Sequence, residues 1–181
     1  MVFCLGLSFI FGVNVLVASA LLTLVEIVHD DFGLSHHPIL KNLCNVGGYT
    51  TFELGATLVL SGEPSLDRTS LTALACSAVV IFMTIHVQDF PDTNGDRKSG
   101  RRTLPIVAPE GSRIYTLCIL ALLSLALASV WSLGTVCSVL FVSAGLGVGL
   151  RCYLFRDEAR DETTYVLYNV HMAPGCSSIA T

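Results

Sequence analysis

The stretch HVQDFPDTNGDRKSGRRTLP, residues 86–105, contains three aspartates and four basic residues directly after an apolar run of spanning length. Soluble proteins rarely need so many charges immediately beside such a run. The stretch therefore indicates a polar site at the surface of a membrane, joined to a membrane-spanning segment.

The composition also favours a membrane protein. Of the 181 residues, 52% are hydrophobic and 13% are charged, whereas soluble domains carry about 25% charged residues. About 20 helical residues cross a bilayer core, and lipid offers backbone groups no partners, so spanning runs are predicted to be helices. The runs of spanning length are Val2–Val28, Val46–Gly62, Ser70–Val87, Ile114–Leu133 and Gly134–Leu150.

A sixth apolar run begins near Thr163 and is predicted to stop at Pro174-Gly175, too soon to cross. The fold class predicted from these runs is an all-α integral membrane bundle with five full spans plus a cut sixth. The mixed-charge stretch 151–162 is interpreted as a solvated helix end.

The basic residues are distributed unevenly between the two predicted sides of the membrane. If each run crosses once, the connections 29–45, 88–113 and 151–162 share one side, and nine of the ten basic residues lie there. Only Arg68 lies on the other side. Because cytoplasmic loops carry the excess of Lys and Arg, we predict a multi-pass protein with its aspartate-rich loop in the cytoplasm.

Asp89, Asp92 and Asp96 are spaced i, i+3 and i+7. On a continuous helix they would share one face, but Pro91 and Gly95 leave open that they converge from a helix end and a turn. Either way they repel one another unless a cation is present. Hard oxygen ligands suit Mg²⁺, which keeps several waters and bridges to phosphates, so we predict that the three aspartates bind Mg²⁺.

Basic residues follow the aspartates within ten positions, and they are predicted to contact diphosphate oxygens: Lys98, Arg101 and Arg102. The segment has two alternative interpretations. A calcium loop of the EF-hand type is disfavoured because Arg97 and Thr103 stand where that motif needs Gly and Glu. An ordinary charged loop between two spans stays open on spacing alone.

Polar residues also follow one face of the second predicted span, at i, i+3, i+7 and i+11: Asn42, Asn45, Tyr49 and Glu53. We predict that they line a cavity, together with Thr84 and Gln88 at the end of the third span. An intramembrane carboxylate is expensive and is a functional-site hypothesis by default. The alternatives are that Glu53 bonds a neighbouring helix, and that the threonine hydroxyl bonds its own preceding turn.

A longer pattern resembles a known family. It runs Asp89-x-x-Asp92-x-x-Gly95-Asp96-Arg97-x-x-Gly100-x-x-Thr103-Leu104-Pro105. It looks like the second aspartate-rich motif of the UbiA superfamily of membrane prenyltransferases. The segments 41–45, 52–56 and 156–169 are similar to fungal members, and the resemblance covers the chain up to about Val170.

The resemblance implies a nine-helix bundle in which two aspartate motifs face each other across a cytoplasmic-side cavity. It implies Mg²⁺ as cofactor and a polyprenyl diphosphate as substrate. The metal-bound diphosphate leaves the prenyl chain, and an aromatic acceptor or the chain's own double bond captures the allylic cation. The lipid bilayer is the expected environment, and no nucleic-acid partner is expected. No catalytic residue is assigned.

The first motif of that family, Asn-x-x-x-Asp-x-x-x-Asp, does not occur in these 181 residues. Residues 1–181 are therefore expected to form one incomplete domain of the UbiA type, truncated at both ends and inactive alone. Prenyl transfer is the predicted ancestral activity. The alternatives are a membrane terpene cyclase and a non-catalytic or decayed membrane fragment. A transporter is disfavoured because transport sites lie near mid-bilayer.

Overall fold

The structure is a computed structural model that describes residues 2–177, and all regular elements in that range are helices. Their bounds are α1 Val2–Ile10, α2 Val13–Asp31, α3 Pro38–Ser61, α4 Arg68–Thr84, α5 Thr93–Lys98, α6 Leu104–Val107, α7 Pro109–Val130, α8 Thr135–Leu154 and α9 Glu158–Ser177. Two 3₁₀ segments, Leu34–His36 and Ile85–Asp89, precede α3 and follow α4. The predicted all-α class is confirmed.

Four segments within residues 2–177 are long and apolar enough to cross a membrane: Val13–Asp31, Arg68–Asp89, Pro109–Val130 and Thr135–Leu154. Five full spans were predicted. The predicted span Val46–Gly62 corresponds to the later part of α3. This helix has 24 residues, but it is not among the four segments that are long and apolar enough to cross a membrane. Large apolar side chains on the spanning helices are exposed, for example Leu122 and Leu140. Lipid tails can solvate such side chains, whereas water would not.

Two predicted helix boundaries are wrong. The run Val2–Val28 is not one helix, because the chain turns between α1 and α2 at Gly12, where φ is 118°; only glycine adopts this conformation without strain. The sixth run does not stop at Pro174. Its helix α9 begins at Glu158 and extends to Ser177, so the stretch 151–162 includes the start of a long helix.

The chain divides into two compact units, residues 1–82 and 83–181, and the predicted single domain stays a prediction. In the first unit, α2 and α3 form an antiparallel hairpin. A Cβ added at Gly47 would lie 3.2 Å from the Val25 side chain, and one at Gly55 would lie 3.6 Å from Ala18 Cβ. Small residues of this kind let two membrane helices approach closely.

The second unit contains the core, which is formed by residues from the 3₁₀ segment and from α7, α8 and α9: Val87, Phe90, Leu120, Val148, Cys152 and Tyr168. Helix α8 approaches α7 through two glycines. A Cβ at Gly149 would lie 3.0 Å from Leu117 Cα, and one at Gly145 would overlap Ser124 Oγ. The close approach of these helices brings the end of α4 and the aspartate segment against α7 and α9.

Candidate functional site

The three aspartates lie on a broken path rather than on one helix. Asp89 ends the 3₁₀ segment, Asp92 lies directly before α5, and Asp96 lies within α5. Thr93 Oγ1 stabilises the turn between them by donating to the carbonyl oxygens of Asp89, at 3.1 Å, and Phe90, at 2.9 Å. The structure thus has the second of the two arrangements that the sequence left open, a helix end followed by a turn.

Two of the three carboxylates are buried. Asp89 is 4% exposed and Asp96 is 2% exposed, whereas Asp92 is exposed. Arg101 Nη1 lies 3.3 Å from Asp96 Oδ1, and the Arg101 backbone N–H donates to the Asp96 carbonyl at 2.9 Å. Burying an ionised carboxylate is unfavourable unless it is paired. Arg101, predicted to contact phosphate, therefore also compensates the charge of Asp96.

Gly95 leaves room for the Asp92 carboxylate. A Cβ at residue 95 would overlap Asp92 Oδ1 and would lie 3.1 Å from Asp92 Cγ. The Asp92 side chain thus lies back over the first turn of α5, whose backbone begins with the Asp96 N–H donating to the Asp92 carbonyl at 2.9 Å. Any side chain at residue 95 would displace this carboxylate.

The chemistry of the donors suits a hard cation, but no ready cage is formed. Nowhere in residues 2–177 do three or more His, Cys, Asp or Glu side chains come close enough to hold a metal ion. Mg²⁺ is commonly held by one or two carboxylates together with substrate phosphates and waters. Asp89, Asp92 and Asp96 are oxygen donors of the kind that this mode of binding uses, and the Mg²⁺ site stays a prediction.

His86 holds the 3₁₀ segment that carries Asp89. Its ring is 1% exposed, and its Nε2 lies 2.8 Å from Thr116 Oγ1 on α7. Thr116 Oγ1 donates to the Ser112 carbonyl at 2.8 Å. Because that hydroxyl proton is already used, His86 Nε2 carries the proton of the hydrogen bond to Thr116. These contacts give His86 a structural role.

Arg113, near the start of α7, ties the aspartate segment to the C-terminal helices. Its guanidinium group lies 4.5 Å from the centroid of the Phe90 ring. Two of its nitrogens donate to the Asp161 carboxylate at 2.9 and 2.7 Å. It also donates to the carbonyls of Cys152 and Phe155. Sequence reasoning treated Arg113 only as one of nine cytoplasmic charges and missed this buried pair.

A cavity of about 230 Å³ is lined by Asn94 and Arg97 of α5 together with Arg113, Arg156 and Asp161, and neither Asp92 nor Asp96 lines it. Two of its arginines are already paired, Arg113 with Asp161 and Arg156 with Glu110. The hydrogen bond with the Glu110 carboxylate raises the pKa of Arg156. Lys98 and Arg102 are exposed at the surface of the same segment.

The residues predicted to line a cavity have several environments. Thr84 is fully buried, and its hydroxyl lies 2.7 Å from Tyr168 Oη. Glu53 accepts a hydrogen bond from Ser77 Oγ at 2.8 Å. This contact agrees with the alternative in which Glu53 bonds a neighbouring helix.

The other members of that set differ as well. Asn45 and Tyr49 line a cavity of about 350 Å³ between α2 and α3. Asn42 and Gln88 are half-buried, and neither lines this cavity. The first unit therefore contains a real cavity along the predicted face of α3, but only part of the predicted set lines it.

These features define a class, an all-α membrane protein with a carboxylate-rich segment at the end of a spanning helix. The model of the UbiA prenyltransferase family matches residues 1–172, and the chain belongs to that family. It is 24% identical over 156 residues to the fumagillin beta-trans-bergamotene synthase of Aspergillus fumigatus. The match covers 86% of this chain and 54% of that protein, so the chain spans about half the length of this curated relative. No solved structure matches.

Family membership confirms the resemblance and the UbiA type of the fold, and together with the four apolar helices it shows an integral membrane protein. The relative is a fungal enzyme, which agrees with the predicted similarity to fungal members. The side of the membrane on which the aspartate segment lies remains a prediction.

Proposed function

We propose that the aspartate segment binds the diphosphate of a polyprenyl diphosphate with Mg²⁺, and that the protein takes part in transfer of the prenyl group. The supporting observation is that two carboxylates of the segment, Asp89 and Asp96, are buried beside exposed basic side chains in a chain that belongs to the UbiA prenyltransferase family. Buried carboxylates at the end of a membrane helix are costly. A function in cation and diphosphate binding explains why the chain keeps them there.

Each group has a distinct task in this proposal. Asp89, Asp92 and Asp96 would hold Mg²⁺, which supplies charge neutralisation of the leaving diphosphate. Arg101 pairs with the Asp96 carboxylate and would also donate to phosphate oxygens of the bound diphosphate. Lys98 and Arg102 are exposed, so they are free to reorient toward a bound diphosphate.

The fate of the prenyl group distinguishes two reactions. Prenyl transfer is the activity that gives the family its name, and an aromatic compound is the acceptor that we propose for it. Cyclisation, in which the chain's own double bond captures the cation, is favoured by the similarity to a bergamotene synthase. The two share the diphosphate-binding step, so the aspartate segment serves either reaction.

Cation binding tests the shared step directly. With the full chain in lipid nanodiscs, Mn²⁺ used in place of Mg²⁺ is expected to bind tightly only when farnesyl diphosphate is present, as measured by electron paramagnetic resonance. Asp92→Asn should weaken this binding at least about tenfold, since one lost charged ligand is worth on the order of 1.5–3 kcal/mol. Asp157→Asn is the matched control, because Asp157 is exposed and pairs with Arg160.

Equal Mn²⁺ binding by the wild type and Asp92→Asn would contradict the proposed site. Product analysis then separates the two reactions. If farnesyl diphosphate alone gives a hydrocarbon product, the protein is a cyclase. If product forms only when a phenolic acceptor is added, it is a transferase.

A further inference from the structure

Ser99 is an exposed serine at the end of α5, within a run of basic side chains. Arg97 and Lys98 precede it, and Arg101 and Arg102 follow one residue later. All five of these residues are exposed. The chain from Ser99 to the start of α6 is not helical. Exposed connections of this kind are accessible to other macromolecules, and they often carry function.

Ser99 differs in its exposure from the other hydroxyl residues between positions 88 and 113. Thr93 is half-buried, and its hydroxyl bonds the turn between the aspartates. Thr103 and Ser112 are each 1% exposed. Protein kinases distinguish their substrates partly by the charges beside the accepting hydroxyl. Ser99 therefore combines the two properties that a kinase with a preference for basic sequences requires, an accessible hydroxyl and a basic flank.

The Ser99 hydroxyl helps to close the end of α5. Its Oγ donates to the Asp96 carbonyl at 3.0 Å, and the Arg101 backbone N–H donates to the same oxygen at 2.9 Å. The Arg101 guanidinium group lies 3.3 Å from the Asp96 carboxylate. The hydroxyl, the amide and the guanidinium group thus all contact one buried residue. A chemical change at Ser99 Oγ therefore acts on a carboxylate that is proposed to bind Mg²⁺.

Phosphorylation of Ser99 would disrupt these contacts. A bond forms between Oγ and the γ-phosphorus of ATP, the bond to the departing ADP breaks, and the hydroxyl proton leaves to solvent. Oγ then has no proton to donate to the Asp96 carbonyl. The phosphate carries a charge of about −1.5 to −2 and lies at a helix C-terminus, where negative charge is unfavourable. It also offers Arg101 a more highly charged partner than the Asp96 carboxylate.

We propose that Ser99 is a phosphorylation site for a kinase that recognises basic sequences, and that phosphate there opens the end of α5 and weakens the binding of Mg²⁺ and diphosphate. The site depends on exposure and flanking charge, whereas its effect on ligand binding rests on the proposed function. The phosphate would also attract Lys98 and Arg102, which are the side chains proposed to contact the diphosphate. The segment lies on the predicted cytoplasmic side, where ATP is present.

Treatment of the full chain in nanodiscs with ATP and the catalytic domain of protein kinase C tests the site, because this kinase prefers basic residues on both sides of the serine. Mass spectrometry of the peptides is expected to find phosphate on Ser99 and none on Thr163. Thr163 is a control within the same chain. It is exposed, and its hydroxyl donates to a backbone carbonyl at 3.0 Å, as that of Ser99 does, but two acidic residues precede it. Absence of phosphate from Ser99 in the folded chain would overturn the proposed site.

Two variants test whether the flanking charges recruit the kinase. Arg97→Gln removes a basic side chain that has no part in the proposed diphosphate binding. It is expected to slow phosphorylation of Ser99 about tenfold, because charge-assisted hydrogen bonds to the kinase are lost. Arg160→Gln is the matched control, since it removes an exposed arginine from outside the segment, and it should leave the rate unchanged. Equal rates for Arg97→Gln and the wild type would contradict recognition through the basic flank.

Hydrogen exchange and Mn²⁺ binding measure the effect of the phosphate. The backbone N–H groups of residues 99–101 bond the last turn of α5, and their exchange is expected to become at least about tenfold faster when that turn opens. Mn²⁺ binding in the presence of farnesyl diphosphate should weaken at least about tenfold. Kinase treatment of Ser99→Ala should change neither quantity.

The two measurements separate the possible failures. Unchanged hydrogen exchange in the phosphorylated chain would overturn the opening of α5. Faster exchange with unchanged Mn²⁺ binding would overturn the effect on ligand binding. If the untreated wild type does not bind Mn²⁺, the proposed function fails, whereas the phosphopeptides and the hydrogen exchange still decide whether Ser99 is a phosphorylation site that opens α5.

Discussion

At the scale of single residues, the pair Arg113 and Asp161 has the largest expected effect on stability in the second unit. Arg113 is 9% exposed and Asp161 is 4% exposed, and two hydrogen bonds join them. Removing one member leaves the other as an uncompensated buried charge. The sequence could not reveal this pair, because the two residues are 48 positions apart and each occurs in a stretch with other charges.

Arg113→Met is expected to lower the free energy of unfolding by about 3–5 kcal/mol, as is typical when a buried ion pair is broken. Unfolding in sodium dodecyl sulfate, followed by circular dichroism, measures the change. The double variant Arg113→Met/Asp161→Leu should recover part of the loss, because no charge is then left buried. Arg160→Met breaks the exposed pair with Asp157 and should change stability by at most about 1 kcal/mol. A loss of the same size in both single variants would contradict the argument.

Gly95 is the second residue with a specific expected effect. Gly95→Ala places a methyl group where the Asp92 carboxylate lies, so that carboxylate must move. On the proposed function, Mn²⁺ binding in the presence of farnesyl diphosphate should weaken about tenfold, while helical content stays the same. Gly111→Ala is the control, since a Cβ there meets only Ala108 Cβ, at an ordinary 3.6 Å. Unchanged Mn²⁺ binding in Gly95→Ala would show that Asp92 is not a ligand.

At the scale of helices, the packing of α8 depends on Gly145 but not on Gly147, although the two glycines look alike in the sequence. Gly145 lies against Ser124 of α7 and His171 of α9, whereas a Cβ at Gly147 would meet nothing within 4 Å. His171 Nε2 lies 3.0 Å from Ser124 Oγ, and the His171 ring stacks on Phe141 at 4.5 Å. Gly145 therefore allows three helices to meet at one polar contact.

Gly145→Ala is expected to destabilise the protein by about 1–3 kcal/mol, the usual effect of overpacking a tight contact. Gly147→Ala should be neutral or stabilise by up to about 1 kcal/mol, because alanine is the better helix former. Unfolding in sodium dodecyl sulfate compares the two. Equal effects of the two substitutions would mean that α8 does not approach α7 and α9 through Gly145.

The helices also show why some boundaries were predictable and others were not. The long apolar runs predicted α7 and α8 well, since length and hydropathy suffice for a spanning helix. Gly12 carries no visible signal of a break, because glycine is common within membrane helices. The spacing of the aspartates left open whether the helix breaks near Pro91. The break is stabilised by hydrogen bonds of the Thr93 hydroxyl, and these are visible only in the structure.

At the scale of the whole molecule, the family could be predicted from one segment, whereas the α2–α3 cavity could only be predicted in part. The motif between Asp89 and Pro105 is local, so its spacing is visible in the sequence. The family that it indicated is confirmed by the match over residues 1–172. The cavity joins two helices. Asn45 and Tyr49 were visible on one face of α3, but the opposing Glu26 and His29 of α2 were not recognised as part of it.

The orientation of the chain in the membrane follows from charges summed over all its connections. Nine basic residues lie in the connections on one predicted side and one lies on the other. This distribution predicts that the aspartate segment lies in the cytoplasm. No Asn-x-Ser/Thr acceptor for glycosylation occurs in the chain, so an introduced acceptor has no background. An acceptor in a Gly-Ser insertion between Ser65 and Leu66 should be glycosylated in microsomes, whereas the same insertion between Ser99 and Gly100 should not. Glycosylation at the second position alone would reverse the predicted orientation, because nine basic residues would then lie on the lumenal side.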